Sequence, residues 1–220
     1  MIKLIIYDLD GTLIDSSKDI SNSINWMLNE LGFASLPEPL IRNHVGSGVV
    51  YLIKNVLNEV SPDFLKQDGI LEKATKLYRG RYSDHLLDET KLYPHVPAVL
   101  DFFKNRKQAV LTNKTEDFSR RILKGLQVDQ FFFDVVGGDR TPSKKPAPDS
   151  VLKLIEAAGV RAGETVLIGD STIDVQTAKN AAVHSVAVTY GFNSRREIEL
   201  CQPDRILDEF NALIHCDLMK

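Results

Sequence analysis

The chain has 220 residues, enough for one large domain or two small ones, of which 43% are hydrophobic and 26% charged. Lys+Arg 27 against Asp+Glu 30 leaves a formal charge of -3, so there is no basic excess to neutralise a nucleic-acid backbone, and nucleic acid is not expected as a general partner. Apolar runs are a few residues long, far short of the ~20 needed to cross a bilayer.

The first expected element is an apolar strand, Ile2 to Asp8, and because Met1 leads straight into it no secretory leader is expected. From about Ser16 to about Leu87 helical patterns replace strands. Ile20, Ile24, Met27, Leu28 and Leu31 form one apolar stripe, with Ser16 or Ser17 as cap and Gly32 as stop. Pro37 and Pro62 mark two further expected helix starts, and another helix begins near Val49. After this stretch come a strand (Gln108 to Thr112), helices (Glu116 to Leu126 and Asp149 to Ala158) and a strand (Thr165 to Ile168). A helix (Thr172 to Ala182), a strand (Val186 to Val188) and an edge strand (Asp204 to Leu207) complete the order. Near-continuous apolar strands alternating with helices read as an α/β fold with a doubly wound parallel sheet. The expected division is a core of residues 1–15 and 90–220, with residues 16–89 inserted as a small all-helical domain at the edge where such sheets bind ligands.

Two acidic clusters follow strands. Asp8-Leu9-Asp10-Gly11-Thr12 follows the first, and Gly169-Asp170-Ser171-Thr172-Ile173-Asp174 follows the Thr165 strand. Either alone reads as a solvated turn or as helix N-terminal acids. In a parallel sheet both open on one edge, so Asp8, Asp10, Asp170 and Asp174 are expected to converge. Packed carboxylates repel, and an oxygen-only donor set favours Mg²⁺ among the common cations. Thr112-Asn113-Lys114 and Ser143-Lys144-Lys145-Pro146 supply the opposite polarity: a hydroxyl and backbone donors at a helix start, and a lysine before a chain-fixing proline. One of these lysines is a plausible phosphoryl clamp.

These four segments, in this order, resemble the motifs of the haloacid dehalogenase (HAD) superfamily, and the likeness covers nearly the whole chain: DLDGT first, Thr112 second, Lys145 third and GDSTID fourth. The resemblance implies a phosphatase working through an aspartyl-phosphate on Asp8, with Asp10 as acid and base. It implies Mg²⁺ held by Asp8, the Asp10 carbonyl and Asp170, with Asp174 beside or behind it. Thr112, Asn113 and Lys145 would meet the phosphoryl group, with Lys144 the alternative to Lys145. A carboxylate at Asp10 points away from dehalogenation. Arg42 to Val49 resembles a loop of phosphoglycolate phosphatase-like members, in which Arg42, His44 and Gly46 would meet substrate. The implied substrate is a small phosphorylated metabolite, 2-phosphoglycolate among them; a sugar phosphomutase, a pyrophosphatase or a phospho-accepting signalling module are the alternatives. Cys201 and Cys216 form no CxxC pair and are expected as reduced thiols in a cytoplasmic protein; the short apolar runs point to no membrane partner, and a monomer and a homodimer both stay open.

Overall fold

The computed structural model describes residues 1–220. The chain divides into two compact units, one of Met1–Asp15 with Lys91–Lys220 and the other of Ser16–Thr90. It begins with β1 (Leu4–Tyr7) and β2 (Ile14–Asp15), then runs through α1 (Ser17–Glu30), α2 (Glu38–Arg42), α3 (Val49–Val60) and α4 (Ile70–Asp84). It returns in β3 (Lys91–Leu92) and continues with α5 (Val96–Phe102), β4 (Lys107–Leu111), α6 (Glu116–Gly125), β5 (Asp134–Val136) and α7 (Asp149–Ala158). The last elements are β6 (Thr165–Gly169), α8 (Thr172–Asn180), β7 (His184–Val188), α9 (Arg195–Leu200) and β8 (Arg205–Leu207).

The first unit is built on a six-stranded sheet in the order β5-β4-β1-β6-β7-β8, every pair parallel. The expected doubly wound α/β architecture is therefore present. All four residues of β1 and all five of β6 are buried, as strands covered on both faces require. Leu4, Ile6, Ala109, Leu111 and Leu167 face Val151 and Leu154 of α7 and Ala178 of α8. On the other side the Tyr7 ring meets Phe132 and Phe210, with centroids 6.2 and 5.9 Å away. Its hydroxyl donates to Gln108 Oε1, whose amide donates in turn to the Leu100 carbonyl, so this buried polar pair is satisfied. The order reverses at β1: the chain winds first to β4 and β5, then back to β6 and outward. Such a reversal opens a crevice at the carboxyl ends of the strands.

Several elements depart from the sequence reading: the two-residue strands β2 and β3 and the short helices α5 and α9 were not expected. β5 was not expected, because a three-residue strand beside Phe131-Phe132-Phe133 is too short to show a period. Pro62 does not start a helix: it lies in the turn before the 3₁₀ segment Phe64–Lys66, and α4 begins only after Gly69. Pro37, by contrast, is the N-cap of α2. No helix is long and apolar enough to cross a membrane.

In the second unit, α1 buries Ile20, Ile24, Met27 and Leu28 and packs on α4. Ser16 occupies the N-cap position without a side-chain cap bond. Asp19, only 1% exposed, accepts from Glu89 N, Thr90 N and the Thr90 hydroxyl at 2.7–3.0 Å. A buried carboxylate with no cation is tolerable because three donors converge on it. Asp19→Ala removes the acceptor and leaves those amides unpaired. We expect a loss of about 1–3 kcal/mol on denaturation, with faster hydrogen exchange at Glu89 and Thr90; unchanged exchange there would contradict this account.

Candidate active site

Each central strand delivers polar residues from its carboxyl end. Asp8 is the first residue past β1; its N–H still donates to the Ile168 carbonyl, so it remains registered with the sheet. Its Oδ1 accepts the Leu9 N–H at 2.7 Å. Gly11 then turns with φ +86°, and a Cβ there would lie 2.2 Å from Asp170 Oδ2, so no larger residue lets the first acidic loop pass the second. Asp170 follows β6. Asp174 sits in the first turn of α8, where Ser171 and Asp174 bond reciprocally as a capping box. Asp8, Asp170 and Asp174 are all buried, and an oxygen from each lies within 4.8 Å of the others.

Lys145 enters this cluster from the loop after β5. Its ammonium is 2.8 Å from Asp8 Oδ1 and 2.6 Å from Asp174 Oδ1. Lys144 is exposed, and Lys145 is the one of the two neighbours that reaches the cluster. Asn113, past β4, holds the Lys145 backbone at both ends: its Oδ1 accepts Lys145 N–H and its amide donates to Lys145 O. The side-chain amide of Asn113 thus positions Lys145. Burial, then the Asp174 charge, pushes the Asp8 carboxyl well above the usual range, with Lys145 opposing. Asp170 is pushed up to about 7 by burial and by Asp174, while the Phe192 N–H and the Thr12 hydroxyl hold it back. Burial alone would lower Lys145; the Asp174 and Asp8 carboxylates overcome it and hold the ammonium charged.

Three buried carboxylates against one ammonium leave the cluster with excess negative charge. The donors are all oxygen, and two of the acids are raised by burial and mutual repulsion, which is the strain a bound hard cation relieves. The residues therefore fit a divalent cation.

The expectation that four carboxylates converge is corrected at Asp10. Its side chain is not in the cluster; it pairs with Lys114 Nζ at 2.7 Å, both side chains almost fully buried. Two opposite charges so close outcompete a fourth place among like charges. Thr112 is buried at the end of β4, its Oγ1 accepting the Lys114 N–H. Arg42, His44 and Gly46 belong to the Ser16–Thr90 unit. Arg42 ends α2, Gly46 lies in the following turn with φ +118°, and His44 Nε2 is 3.5 Å from Glu59 Oε1. The sequence reading missed the partnership of Lys114 with Asp10, the bond from the Thr12 hydroxyl to Asp170 Oδ1, and the Phe192 N–H on Asp170 Oδ2. Their signal was position, since each lies just past the end of a core strand.

The sequence profile of the haloacid dehalogenase-like hydrolase family matches residues 5–188. The phosphoglycolate phosphatase of Psychrobacter arcticus is 36% identical over 217 residues, covering 96% of this chain and 94% of that protein. That of Pseudomonas putida is 35% identical over 215 residues, covering 96% of this chain and 78% of its own length. Among solved structures, a protein described as a predicted phosphoglycolate phosphatase from Haemophilus somnus superposes with a TM-score of 0.93 at 29% identity, covering 97% of each chain. With its motif positions gathered at one sheet edge and these similarities along nearly its full length, the chain belongs to the haloacid dehalogenase-like hydrolases.

Proposed function

We propose that this chain is a Mg²⁺-dependent phosphatase acting on small phosphorylated metabolites, with 2-phosphoglycolate as its substrate and Asp8 as its nucleophile. The observation that carries the reading is the Lys145 ammonium lodged between Asp8 and Asp174 beside Asp170, a cationic clamp against a buried carboxylate nucleophile. The substrate assignment draws on relatives named phosphoglycolate phosphatase.

In the proposed reaction, Asp8 Oδ1 stays on Lys145 and the Leu9 N–H, and Oδ2 attacks phosphorus. The ester P–O bond breaks as Asp10, entering this step in its acid form, gives its proton to the departing oxygen. Asp10 then takes a proton from water, whose oxygen displaces Asp8 from phosphorus, releasing phosphate and restoring the carboxylate. Lys145 and the Thr112 hydroxyl hold the transferring oxygens through both steps, stabilising charge where it develops. Asp8, Asp170 and the Asp10 carbonyl would hold Mg²⁺, with Asp174 behind; when bound, the cation screens phosphoryl charge from the carboxylates. Lys114 anchors Asp10 at 2.7 Å and sets where its carboxyl can reach. We assign the Ser16–Thr90 unit the role of a cap that selects substrate, with Arg42, His44 and Gly46 as the groups for the carboxylate of 2-phosphoglycolate. Two cysteines without a disulfide support a cytoplasmic enzyme.

Phosphate release with Mg²⁺ should be highest on 2-phosphoglycolate among a panel containing sugar phosphates, mononucleotides and pyrophosphate. Asp8→Asn should lower it by about 10³-fold or more; wild-type rates in this variant would place the nucleophile elsewhere. Added Mg²⁺ should raise the thermal midpoint of the wild type, by the equivalent of about 2.7 kcal/mol at 100 times its Kd. Asp170→Asn should blunt that rise, and an equal rise in both proteins would put the cation at another site. Lys114→Met should lower kcat by roughly 10- to 100-fold with little change in KM, and Lys114→Arg should recover part of it; a change confined to KM would remove Lys114 from the positioning of Asp10.

A further inference from the structure

The segment after β7 has no place in the chemistry above, yet it touches both acidic loops. The Tyr190 hydroxyl donates to the Thr12 carbonyl at 2.8 Å. Two residues on, the Phe192 N–H donates to Asp170 Oδ2 at 2.7 Å. Thr12 itself donates through its hydroxyl to Asp170 Oδ1 at 2.8 Å. These bonds close a circuit, Tyr190 to Thr12 to Asp170 to Phe192, which leaves the segment and returns to it across the ends of β1, β6 and β7. Both Asp170 oxygens therefore carry a fixed donor, which sets the plane of the carboxylate. Gly191 lies between the two contacts, and a Cβ there would come within 2.2 Å of Asp170 Cβ, so the backbone itself is the wall against which Asp170 rests. Asn193 extends the brace by accepting the Thr172 N–H at the start of α8, the helix that carries Asp174.

Tyr190 is held by its hydroxyl and by its ring contact with Tyr93. Its ring lies on Tyr93, centroids 4.6 Å apart, but also borders a cavity of about 220 Å³ lined by Pro94, His95, Asp208, Glu209 and Phe210. A ring with open space beside it can swing once its hydrogen bond is lost. Burial and the nearby Asp170 charge keep the hydroxyl protonated, so it remains a donor to Thr12.

We propose that Tyr190–Phe192 is a positioning clamp for the cation site, fixing Asp170 directly and the nucleophile-bearing loop through Thr12, so that cation affinity depends on residues that never touch the cation. The inference rests on the cation-dependent reading above. Groups of this kind, which orient ligands from behind, influence metal affinity without supplying a ligand atom.

The test is Mg²⁺ titration by isothermal calorimetry on the full-length wild type, Tyr190→Phe and Gly191→Ala, with circular dichroism to confirm folding. Tyr190→Phe keeps the ring and loses one neutral hydrogen bond; its Kd for Mg²⁺ should rise roughly 3- to 10-fold. Its kcat should return to the wild-type value at saturating Mg²⁺. Gly191→Ala, which drives a methyl group into Asp170, should weaken binding further. A folded Tyr190→Phe with wild-type Kd overturns the clamp, and so does a lowered thermal midpoint with unchanged Kd, since that describes a purely structural tyrosine. A wild type that binds no Mg²⁺ at all overturns the cation-dependent reading instead, which separates the two failures.

Discussion

The active-site arrangement depends on one arrangement of charge: a lysine ammonium buried between two carboxylates, with a third within reach. Buried ions are costly unless paired and hydrogen-bonded. Lys145 meets that condition by touching Asp8 and Asp174 together, and Asp174 is further satisfied by the Ser171 backbone and hydroxyl. The requirement propagates outward. Lys145 reaches the cluster only if its loop is fixed, and the Asn113 amide fixes it from the end of β4. The loops after β4, β5 and β6, far apart in sequence, are thus bound into one polar framework, on which Asp8 at the end of β1 is placed.

The same arithmetic explains why a site for an anionic substrate is lined with acids. A phosphate ester entering beside three carboxylates and one ammonium meets net repulsion. Charge balance improves when a second cation joins Lys145, which is the fit of this oxygen-only cluster to a divalent ion. Asp10 stands outside this balance. Paired with Lys114 on the flank, it adds no fourth charge to the cluster.

Much of this was legible in the residues. Asp8 and Asp170 announce themselves because each follows a fully apolar strand, and parallel strands end on one edge. Lys145 was legible to within one residue, since Lys144 has the same chemistry and only burial distinguishes them. Asn113 and Lys114 were visible as a polar turn, but their roles depend on partners 32 and 104 residues away, and no local pattern encodes that spacing. β5 was hidden because three residues carry no period, and Pro62 misled because proline permits a helix start without requiring one. Tyr190 was hidden for another reason: its hydroxyl meets a backbone carbonyl, an acceptor that every residue possesses.

The insertion point adds a mechanical constraint. The chain departs for the helical unit at Asp15, only five residues past Asp10, so the loop carrying Asp8 and Asp10 is also the stem of that unit. A stem that left Asp8 loosely held would be a poor support for a buried carboxylate. Backbone pairing answers this at successive points. Ile14–Asp15 pairs antiparallel with Lys91–Leu92, which ties the outgoing strand to the returning one. Within the helical unit, Asp19 holds Glu89 and Thr90 and ties the same two strands again. Between these ties and Asp8 stand two further anchors, the Tyr93 N–H on the Leu13 carbonyl and the Tyr190 hydroxyl on the Thr12 carbonyl. The loop that follows β1 is thereby fixed at successive points by hydrogen bonds to β3, to Tyr93 and to Tyr190, segments of the same unit that bears the rest of the site.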